Sequence, residues 1–269
     1  MKMSRLVAFS SSLLLGTVLA LTGVGVAQAQ ESVAAVDYVA LGDSYASGVG
    51  AGSYDSASGD CKRSTRAYPV LWKAANNPAS FAFTACSGAT TGNVTAGQLG
   101  PLNSGTDLVS ISIGGNDAGF ADVMTTCVLQ SEATCLSRIA TARAFVDSTL
   151  PGRLDSVYTA ISAKAPSARV VVLGYPRFYK LSGSCIAGLS ENERSAINGA
   201  ADYLNAATAK RAADHGFTFG DVTPAFTGHE ICSSSAWLHS VNWLNIGESY
   251  HPTAAGQSGG YLPVFSAKA

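Results

Sequence analysis

The sequence predicts an α/β fold, a three-layer αβα sandwich built around a five-stranded parallel sheet. Short runs of β-branched and apolar residues alternate along the chain with longer stretches of helical periodicity. The strand-like runs are almost continuously apolar, as in RVVVL at 169–173, which is typical of parallel strands covered on both faces. We find no internal repeat and no Pro-rich or Ser-rich linker, so residues 34–269 are predicted to form a single domain.

The predicted elements follow one another in a regular order. The five strands are expected at residues 36–41, 81–84, 108–113, 169–173 and 217–219. Helices are expected over 68–76, over 136–164 with an interruption at Pro151, and over 190–214, where Ser190 and Glu193 form a capping box. Residues 220–250 lack regular periodicity, and a loop of that length is typical of a functional segment or of one fixed by a cross-link.

The composition excludes two classes of protein. Only 13% of the residues are charged, against about a quarter in an average globular chain, while 47% are hydrophobic and the formal net charge is −1. A disordered chain needs low hydrophobicity and high net charge, so disorder is excluded. Nucleic acid is not an expected partner, because the chain lacks the basic excess that contacts with a phosphate backbone require.

The N-terminus has the pattern of a secretory signal peptide. Lys2 and Arg5 precede an apolar stretch at 6–26, and Ala27-Gln28-Ala29 supplies the small residues that signal peptidase requires. We therefore predict a signal peptide over 1–29, and trimming of the mature chain to about residue 33 is compatible with the sequence. A transmembrane anchor is the alternative, but serine, threonine and glycine dilute the stretch. Cleavage removes two of the 17 basic residues, which leaves 15 against 18 acidic ones, a net charge of −3, in a secreted, extracellular protein.

Six cysteines follow the predicted signal peptide, and an even number in an exported chain indicates three disulfides. They are Cys61, Cys86, Cys127, Cys135, Cys185 and Cys232. The spacing favours pairing of neighbours, although six cysteines allow about 15 pairings and the sequence alone does not choose among them. A zinc site is disfavoured because no CxxC pair is present.

The ends of the first three strands carry the residues that could perform chemistry. The blocks are GDSYASG at 42–48, SGAT at 87–90 and GGND at 114–117, and HPT follows at 251–253. Ester hydrolysis needs a hydroxyl beside a base and a group of donors for the developing oxyanion. Ser44 and His251 are the candidate nucleophile and base, while Gly88 and Asn116 are candidate donors.

The α/β-hydrolase fold is an alternative that fails on its own motif. That fold requires G-x-S-x-G, whereas the residue two places after Ser44 is Ala46.

These four blocks, in this order, resemble those of the SGNH hydrolases, the GDSL family, whose fold is flavodoxin-like. The resemblance spans residues 42–253 and is closest to secreted actinomycete phospholipases A1 and lipases. It implies that Ser44 is the nucleophile and that the backbone N–H groups of Ser44 and Gly88, with the side chain of Asn116, form the oxyanion hole. It implies that His251 is the general base, and it implies the pairings Cys61–Cys86, Cys127–Cys135 and Cys185–Cys232.

The sequence departs from the family pattern three residues before His251. The family usually has an aspartate there to orient the histidine, whereas this chain has Glu248. Some actinomycete members hold the imidazole through the main-chain carbonyl two residues before the histidine, which is Ser249 here. We favour this Ser–His dyad, because an acceptor at Nδ1 is sufficient to fix the histidine tautomer.

The resemblance implies a secreted serine ester hydrolase that cleaves acyl esters of phospholipids through an acyl-enzyme, with broader lipase and esterase activity. A carbohydrate esterase or a short-chain aryl or alkyl esterase on the same fold is the alternative. A binding module with decayed catalysis is disfavoured, because the four site residues are intact. We expect no cofactor and no metal, a monomer, and transient adsorption to a lipid interface.

For several residues near these blocks, the sequence predicts a role less specifically. Asp43 is expected to support its block through hydrogen bonds, and Asp117 is expected to cap the next helix. Trp237, Trp243 and Tyr250 are expected either in the core or in a wall that contacts an acyl chain.

Overall fold

A five-stranded, wholly parallel sheet forms the centre of the computed structural model, which describes residues 36–182, 185 and 188–269. The strands are β1 (Asp37–Gly42), β2 (Ser80–Phe83), β3 (Leu108–Ser112), β4 (Arg169–Leu173) and β5 (Thr218–Gly220). Their order across the sheet is β2-β1-β3-β4-β5. The predicted α/β class is confirmed, and each strand lies within two residues of its predicted bounds. The predicted signal peptide lies outside the described residues.

Helices connect the strands and pack in two groups, as a three-layer sandwich requires. The α-helices are α1 (Ser44–Ser47), α2 (Tyr68–Asn76), α3 (Thr91–Asn93), α4 (Phe120–Leu129), α5 (Glu132–Ser148), α6 (Leu150–Lys164), α7 (Glu191–Asp214), α8 (Thr223–Phe226) and α9 (Leu262–Ser266). Helices α4 to α7 pack on one another, whereas α2, α8 and α9 pack around a π-helical turn at Gly256–Tyr261. Within the described ranges, no helix is long and apolar enough to span a membrane.

The long helices begin where local sequence signals place them. Helix α5 ends before Thr149, and Pro151 lies in the first turn of α6, where its missing N–H removes no helical hydrogen bond. The capping box before α7 is confirmed: Ser190 Oγ accepts from the Glu193 N–H at 3.1 Å, and Glu193 Oε2 accepts from the Ser190 N–H at 2.8 Å.

The prediction that Asp117 caps the next helix is wrong. The N-cap of α4 is Gly119, whose φ of +76° suits glycine. Asp117 instead accepts hydrogen bonds from the N–H and the hydroxyl of Thr91, at 2.9 and 2.7 Å, and its side chain is fully buried. The carboxylate is thus used to join the loops after β2 and β3 rather than to start a helix.

Three disulfides fix loops of the fold, and the pairing of neighbouring cysteines is confirmed. The bonds join Cys61 to Cys86, Cys127 to Cys135 and Cys185 to Cys232. The first holds the segment that follows β2, two residues before Gly88. The second ties α4 to α5, and the third holds the irregular segment that precedes the C-terminal elements.

The strand order creates a crevice at the carboxyl ends of β1 and β3. The chain passes from β1 to β2 on one side and then returns to β3 on the other, which makes a topological switch point where such sheets bind ligands. The ends of β1 and β3 approach each other closely at Gly42. Its φ is +124°, and a Cβ at this position would lie 2.5 Å from the Ser112 carbonyl oxygen. The predicted serine therefore follows β1 directly at the edge of this crevice.

Candidate active site

Ser44 is the first residue of α1 and lies at the end of β1. The preceding residue, Asp43, is the N-cap, and its Oδ1 accepts from the Tyr45 N–H at 2.9 Å. The main chain of Gly42 is fixed on both sides by Gln98, which accepts from its N–H at 2.7 Å and donates to its carbonyl at 2.8 Å. The position of the serine hydroxyl is therefore set by a buried strand end rather than by a free loop.

His251 lies beside Ser44 although the two residues are 207 positions apart in the chain. The distance between Ser44 Oγ and His251 Nε2 is 2.8 Å, and the other ring nitrogen, Nδ1, is 3.0 Å from the Ser249 carbonyl oxygen. A carbonyl oxygen can only accept, so Nδ1 carries the proton. In the neutral ring, Nε2 is then the acceptor that faces the serine hydroxyl.

Main-chain contacts hold the histidine segment in place. Residue Tyr250 has a φ of +67°, a left-handed conformation that is strained for a tyrosine. Its carbonyl accepts a 2.7 Å hydrogen bond from the Tyr45 hydroxyl, which links the histidine segment to α1. The His251 carbonyl accepts from the N–H of His239 at 3.0 Å, so this neighbouring histidine supports the segment on its other side.

The environment of His251 disfavours its charged form. Its pKa is lowered from 6.5 to about 4, first because the ring is withdrawn from water, and the nearby side chains of His239 and Lys62 lower it further. The hydrogen bond to the Ser249 carbonyl opposes this shift without reversing it. The imidazole is therefore neutral near pH 7 and can accept a proton.

Glu248 contacts a different partner from the one that the family pattern suggests. Its Oε1 accepts a 2.7 Å hydrogen bond from the Tyr54 hydroxyl, which itself accepts from the Gly50 N–H at 2.9 Å. The imidazole nitrogens of His251 are occupied by Ser249 and Ser44 instead.

The three predicted oxyanion donors line the same cavity as Ser44 Oγ. Among the described residues, the backbone N–H groups of Ser44 and Gly88 have no hydrogen-bond acceptor. Gly88 has a φ of +75°, which glycine adopts without strain. The Asn116 amide donates one hydrogen bond to the Ala89 carbonyl at 3.0 Å, which fixes its orientation and leaves a second amide hydrogen.

Sequence reasoning missed Tyr175, which joins two of the blocks. Its hydroxyl donates to Asp43 Oδ2 at 2.6 Å and accepts from the Gly115 N–H at 3.1 Å. Burial raises the pKa of Asp43 to about 7, against the opposing effect of its hydrogen bonds with the Tyr175 hydroxyl and the Tyr45 N–H. The only signal in the sequence is that Tyr175 comes two residues after the end of β4, at the same edge of the sheet.

A largely apolar cavity of about 510 Å³ opens beside Ser44. This volume is within the range of ligand pockets, about 300–1,000 Å³. Its walls come from helices α4, α5 and α7, from residues 241–251 and from the loops after the strands. The apolar lining includes Val123, Met124, Val146, Phe178, Ile197 and Leu204.

The aromatic residues of the irregular segment divide between wall and core. Trp243 and Tyr250 line the cavity. Trp237 instead stacks on His229, with 3.6 Å between the ring centroids, and packs edge-on against Phe226. In the part of the chain that the structure describes, no group of three or more His, Cys, Asp or Glu side chains could hold a metal ion.

Comparison with known proteins places this geometry in a family. Residues 40–258 match the model of the GDSL-like lipase/acylhydrolase family. Lipase 1 of Streptomyces coelicolor is 72% identical over 269 residues, which cover 100% of both chains. The crystal structure of phospholipase A1 from Streptomyces albidoflavus NA297 is 73% identical, with a TM-score of 0.86 over 88% of this chain and 100% of that one.

The crystal structure of the extracellular lipase from Streptomyces rimosus is also similar to this chain. It is 68% identical, with a TM-score of 0.86, and the match covers 87% of this chain and 100% of that chain. The match to the family model extends over far more than half of the sequence and includes both Ser44 and His251. This chain is a member of the GDSL-like lipase/acylhydrolase family, and the predicted class of ester hydrolase is confirmed.

Proposed function

We propose that the protein is a secreted serine hydrolase that cleaves acyl esters of phospholipids, a phospholipase A1 with broader lipase and esterase activity. The observation that carries the proposal is the 2.8 Å contact between Ser44 Oγ and His251 Nε2 beside the apolar cavity. A hydroxyl next to a neutral imidazole can be activated as a nucleophile. A cavity lined by aliphatic and aromatic side chains suits an acyl chain rather than a sugar.

The first half of the reaction forms an acyl-enzyme. Ser44 Oγ attacks the ester carbonyl carbon while its proton passes to His251 Nε2, which gives a tetrahedral oxyanion. The bond between the carbonyl carbon and the alcohol oxygen then breaks, and Nε2 returns the proton to the leaving alkoxide. The acyl group remains on Ser44 Oγ.

The second half releases the fatty acid. Water attacks the acyl carbon, its proton passes to His251 Nε2, and the bond to Ser44 Oγ breaks. The proton returns to the serine oxygen, so the enzyme is restored and one water is consumed for each ester cleaved.

The oxyanion is bound by the backbone N–H groups of Ser44 and Gly88 and by the Asn116 amide. The absence of acceptors for the two N–H groups among the described residues supports this role, because such donors are ready before charge develops. Orientation of His251 by the Ser249 carbonyl rests on the 3.0 Å distance to Nδ1. All groups in this mechanism belong to the protein, so we expect full activity in the presence of EDTA.

Secretion is supported by the three disulfides, which form in oxidising compartments, and by the extracellular lipase among the relatives. We further propose that the enzyme is a monomer, that it adsorbs transiently to lipid aggregates, and that it has no nucleic-acid partner. The lack of a basic excess in the sequence accords with the last of these.

Two measurements test the proposal. A fluorophosphonate should label the folded protein on Ser44, and Ser44→Ala should abolish both labelling and hydrolysis. A phospholipid with different acyl chains at its two positions should release the sn-1 acid first. Release of the sn-2 acid, or labelling at another residue, would contradict the assignment.

A carbohydrate esterase or a short-chain aryl or alkyl esterase is the second candidate, because the same Ser–His pair would serve it. The apolar lining of the cavity favours the phospholipid. The two are separated by kcat/KM for a soluble acetyl ester and for a long-chain phospholipid in mixed micelles. Much faster turnover of the acetyl ester would favour the second candidate.

A further inference from the structure

Four large apolar side chains are more exposed than any others in the described part of the chain. Leu129 is 59% exposed, Trp243 69%, Leu244 100% and Ile246 62%. Leu129 ends α4, and the other three belong to the irregular segment just before His251. We call these four residues the apolar rim.

The apolar rim is continuous with the cavity. Leu129, Trp243 and Ile246 also line it, and a side chain that both lines a cavity and faces water lies at its mouth. Leu244 is absent from the lining and fully exposed, so it projects away from the cavity. The apolar rim thus joins the interior surface around Ser44 to the outer surface of the protein.

The segment that carries three of the four rim residues contains little charge. Residues 231–247 include no Asp, Glu, Lys or Arg. Arg143 lines the cavity, but its guanidinium lies over the Tyr203 ring, 4.3 Å from the centroid. Lys62 and Glu248 flank the segment, one of each sign. With the predicted net charge of −3 for the mature chain, attraction to anionic headgroups does not account for adsorption.

We infer that the apolar rim is the surface by which this enzyme docks on a lipid aggregate, with Leu244 and Trp243 inserted at the boundary between headgroups and acyl chains. This inference rests on the proposed function. Soluble proteins seldom expose a contiguous apolar patch unless a partner covers it. A lipid surface covers this one and meets the opening through which an acyl chain must pass. Tryptophan is favoured at such boundaries because its ring is amphipathic.

Binding to vesicles tests the docking surface separately from catalysis. In a Ser44→Ala background, which hydrolyses nothing, partition onto neutral phosphatidylcholine vesicles is measured by sedimentation. Leu244→Ser should lower the partition coefficient about tenfold, the effect of withdrawing one leucine side chain from an apolar phase. Leu181→Ser is the matched control, since Leu181 is 38% exposed and does not line the cavity. Equal losses in both variants, or none in Leu244→Ser, would overturn the inference.

Tryptophan fluorescence reports the orientation of docking. Trp72 is buried and Trp237 half-buried, so Trp243 is the tryptophan able to change environment on adsorption. Vesicles should shift the emission to the blue in the Ser44→Ala protein, and Trp243→Phe should lose the shift while it keeps most of the binding. Binding that appears only with anionic vesicles and disappears in 1 M salt would contradict an apolar docking surface.

Further outcomes separate this inference from its alternatives. With Ser44 intact, Leu244→Ser should cleave a soluble short-chain ester at the wild-type rate and phosphatidylcholine vesicles about tenfold more slowly. Vesicle binding without release of fatty acid would refute the proposed function and leave the docking surface standing. A concentration-dependent dimer that Leu244→Ser abolishes would assign the apolar rim to a second copy of the chain and overturn the inference.

Discussion

The hydroxyl of Tyr175 lies between Asp43 and the Gly115 N–H, at 2.6 and 3.1 Å. Asp43 precedes the proposed nucleophile, and Gly115 precedes Asn116, one of the proposed oxyanion donors. One side chain after β4 therefore fixes the ends of β1 and β3 relative to each other. In the proposed mechanism Ser44 and Asn116 contact the same ester group, so we expect the spacing of these two strand ends to affect the rate.

We predict that Tyr175→Phe lowers both stability and kcat. The change leaves the Gly115 N–H and Asp43 Oδ2 without the partner that they share, while Asp43 Oδ1 keeps the Tyr45 N–H, and the loss costs about 1–3 kcal/mol in the free energy of unfolding. Because the donors shift relative to Ser44, kcat should fall about tenfold with little change in KM. Urea denaturation and steady-state kinetics on a soluble ester measure the two effects.

Tyr158→Phe provides the control for this prediction. Tyr158 is fully buried, but its hydroxyl has no hydrogen-bond partner in the described residues. Its removal should leave kcat unchanged and should leave stability equal or slightly higher. Equal kinetic losses in the two variants would show that Tyr175 acts only through packing.

Glu248→Gln tests the orientation of the histidine. Glu248 accepts from the Tyr54 hydroxyl, and the amide oxygen of glutamine can do the same. We expect kcat to change less than about fivefold, far below the roughly 10⁴-fold loss that follows removal of a triad carboxylate. A loss of that larger size would show that Glu248, and not the Ser249 carbonyl, orients His251.

Asn116→Ala should reduce kcat by about 10²–10³, the usual effect of losing one oxyanion donor, with KM nearly unchanged. Asn116→Asp keeps the shape of the side chain and removes the donor, so it should be at least as slow. Circular dichroism shows whether both variants fold. Near-wild-type activity of the aspartate variant would exclude donation by this side chain.

The pH profile should reflect the lowered pKa of His251. Only the neutral imidazole accepts a proton, so kcat/KM should rise with pH through about 4 and be level by pH 6. With an unperturbed histidine, the same rise in kcat/KM would be centred near pH 6.5. A soluble uncharged ester avoids titration of the substrate, and far-UV circular dichroism at each pH separates inactivation from acid unfolding. A limb near 6.5 in folded protein would contradict this description of the site.

The Cys61–Cys86 disulfide should matter for rate as well as for stability. Chain-entropy arguments give about 3.5 kcal/mol for closing this loop of 25 residues and about 2.5 kcal/mol for the eight-residue Cys127–Cys135 loop. Paired cysteine-to-alanine variants should lose stability in that order. The first pair should also lower kcat, since Cys86 is two residues from Gly88, and kinetics at a temperature where both variants are folded would show the difference.

The sequence predicts Ser44, His251 and Asn116 as site residues because each belongs to a short block with a fixed residue pattern. Tyr175 belongs to no such pattern, and its importance arises only when β4 lies beside β3 in the sheet. The cavity also depends on tertiary packing, because α7 and residues 241–251, which supply part of its walls, are distant in the chain from α4 and α5. Helix α4 escaped prediction since it is short and begins after a glycine rather than after a polar capping residue.

The choice between Glu248 and Ser249 could not be made from residue types. Both are close to His251 in sequence, and the contact that His251 makes depends on the left-handed conformation of Tyr250, which turns the main chain between Ser249 and His251. The hydroxyl of Tyr54, 194 positions away in the chain, donates a hydrogen bond to the Glu248 carboxylate. A contact with so distant a residue cannot be predicted from the residues around His251.

The 207-residue separation of Ser44 and His251 also bears on synthesis of the enzyme. The proposed nucleophile, Ser44, is synthesised long before the proposed base, His251. Gln257, which follows His251 in the chain, connects this late segment to the early one. Its side chain donates to the Tyr45 carbonyl and accepts from the Tyr68 N–H. A chain that stops before His251 lacks the proposed base, so we expect such a truncated chain to have no hydrolytic activity.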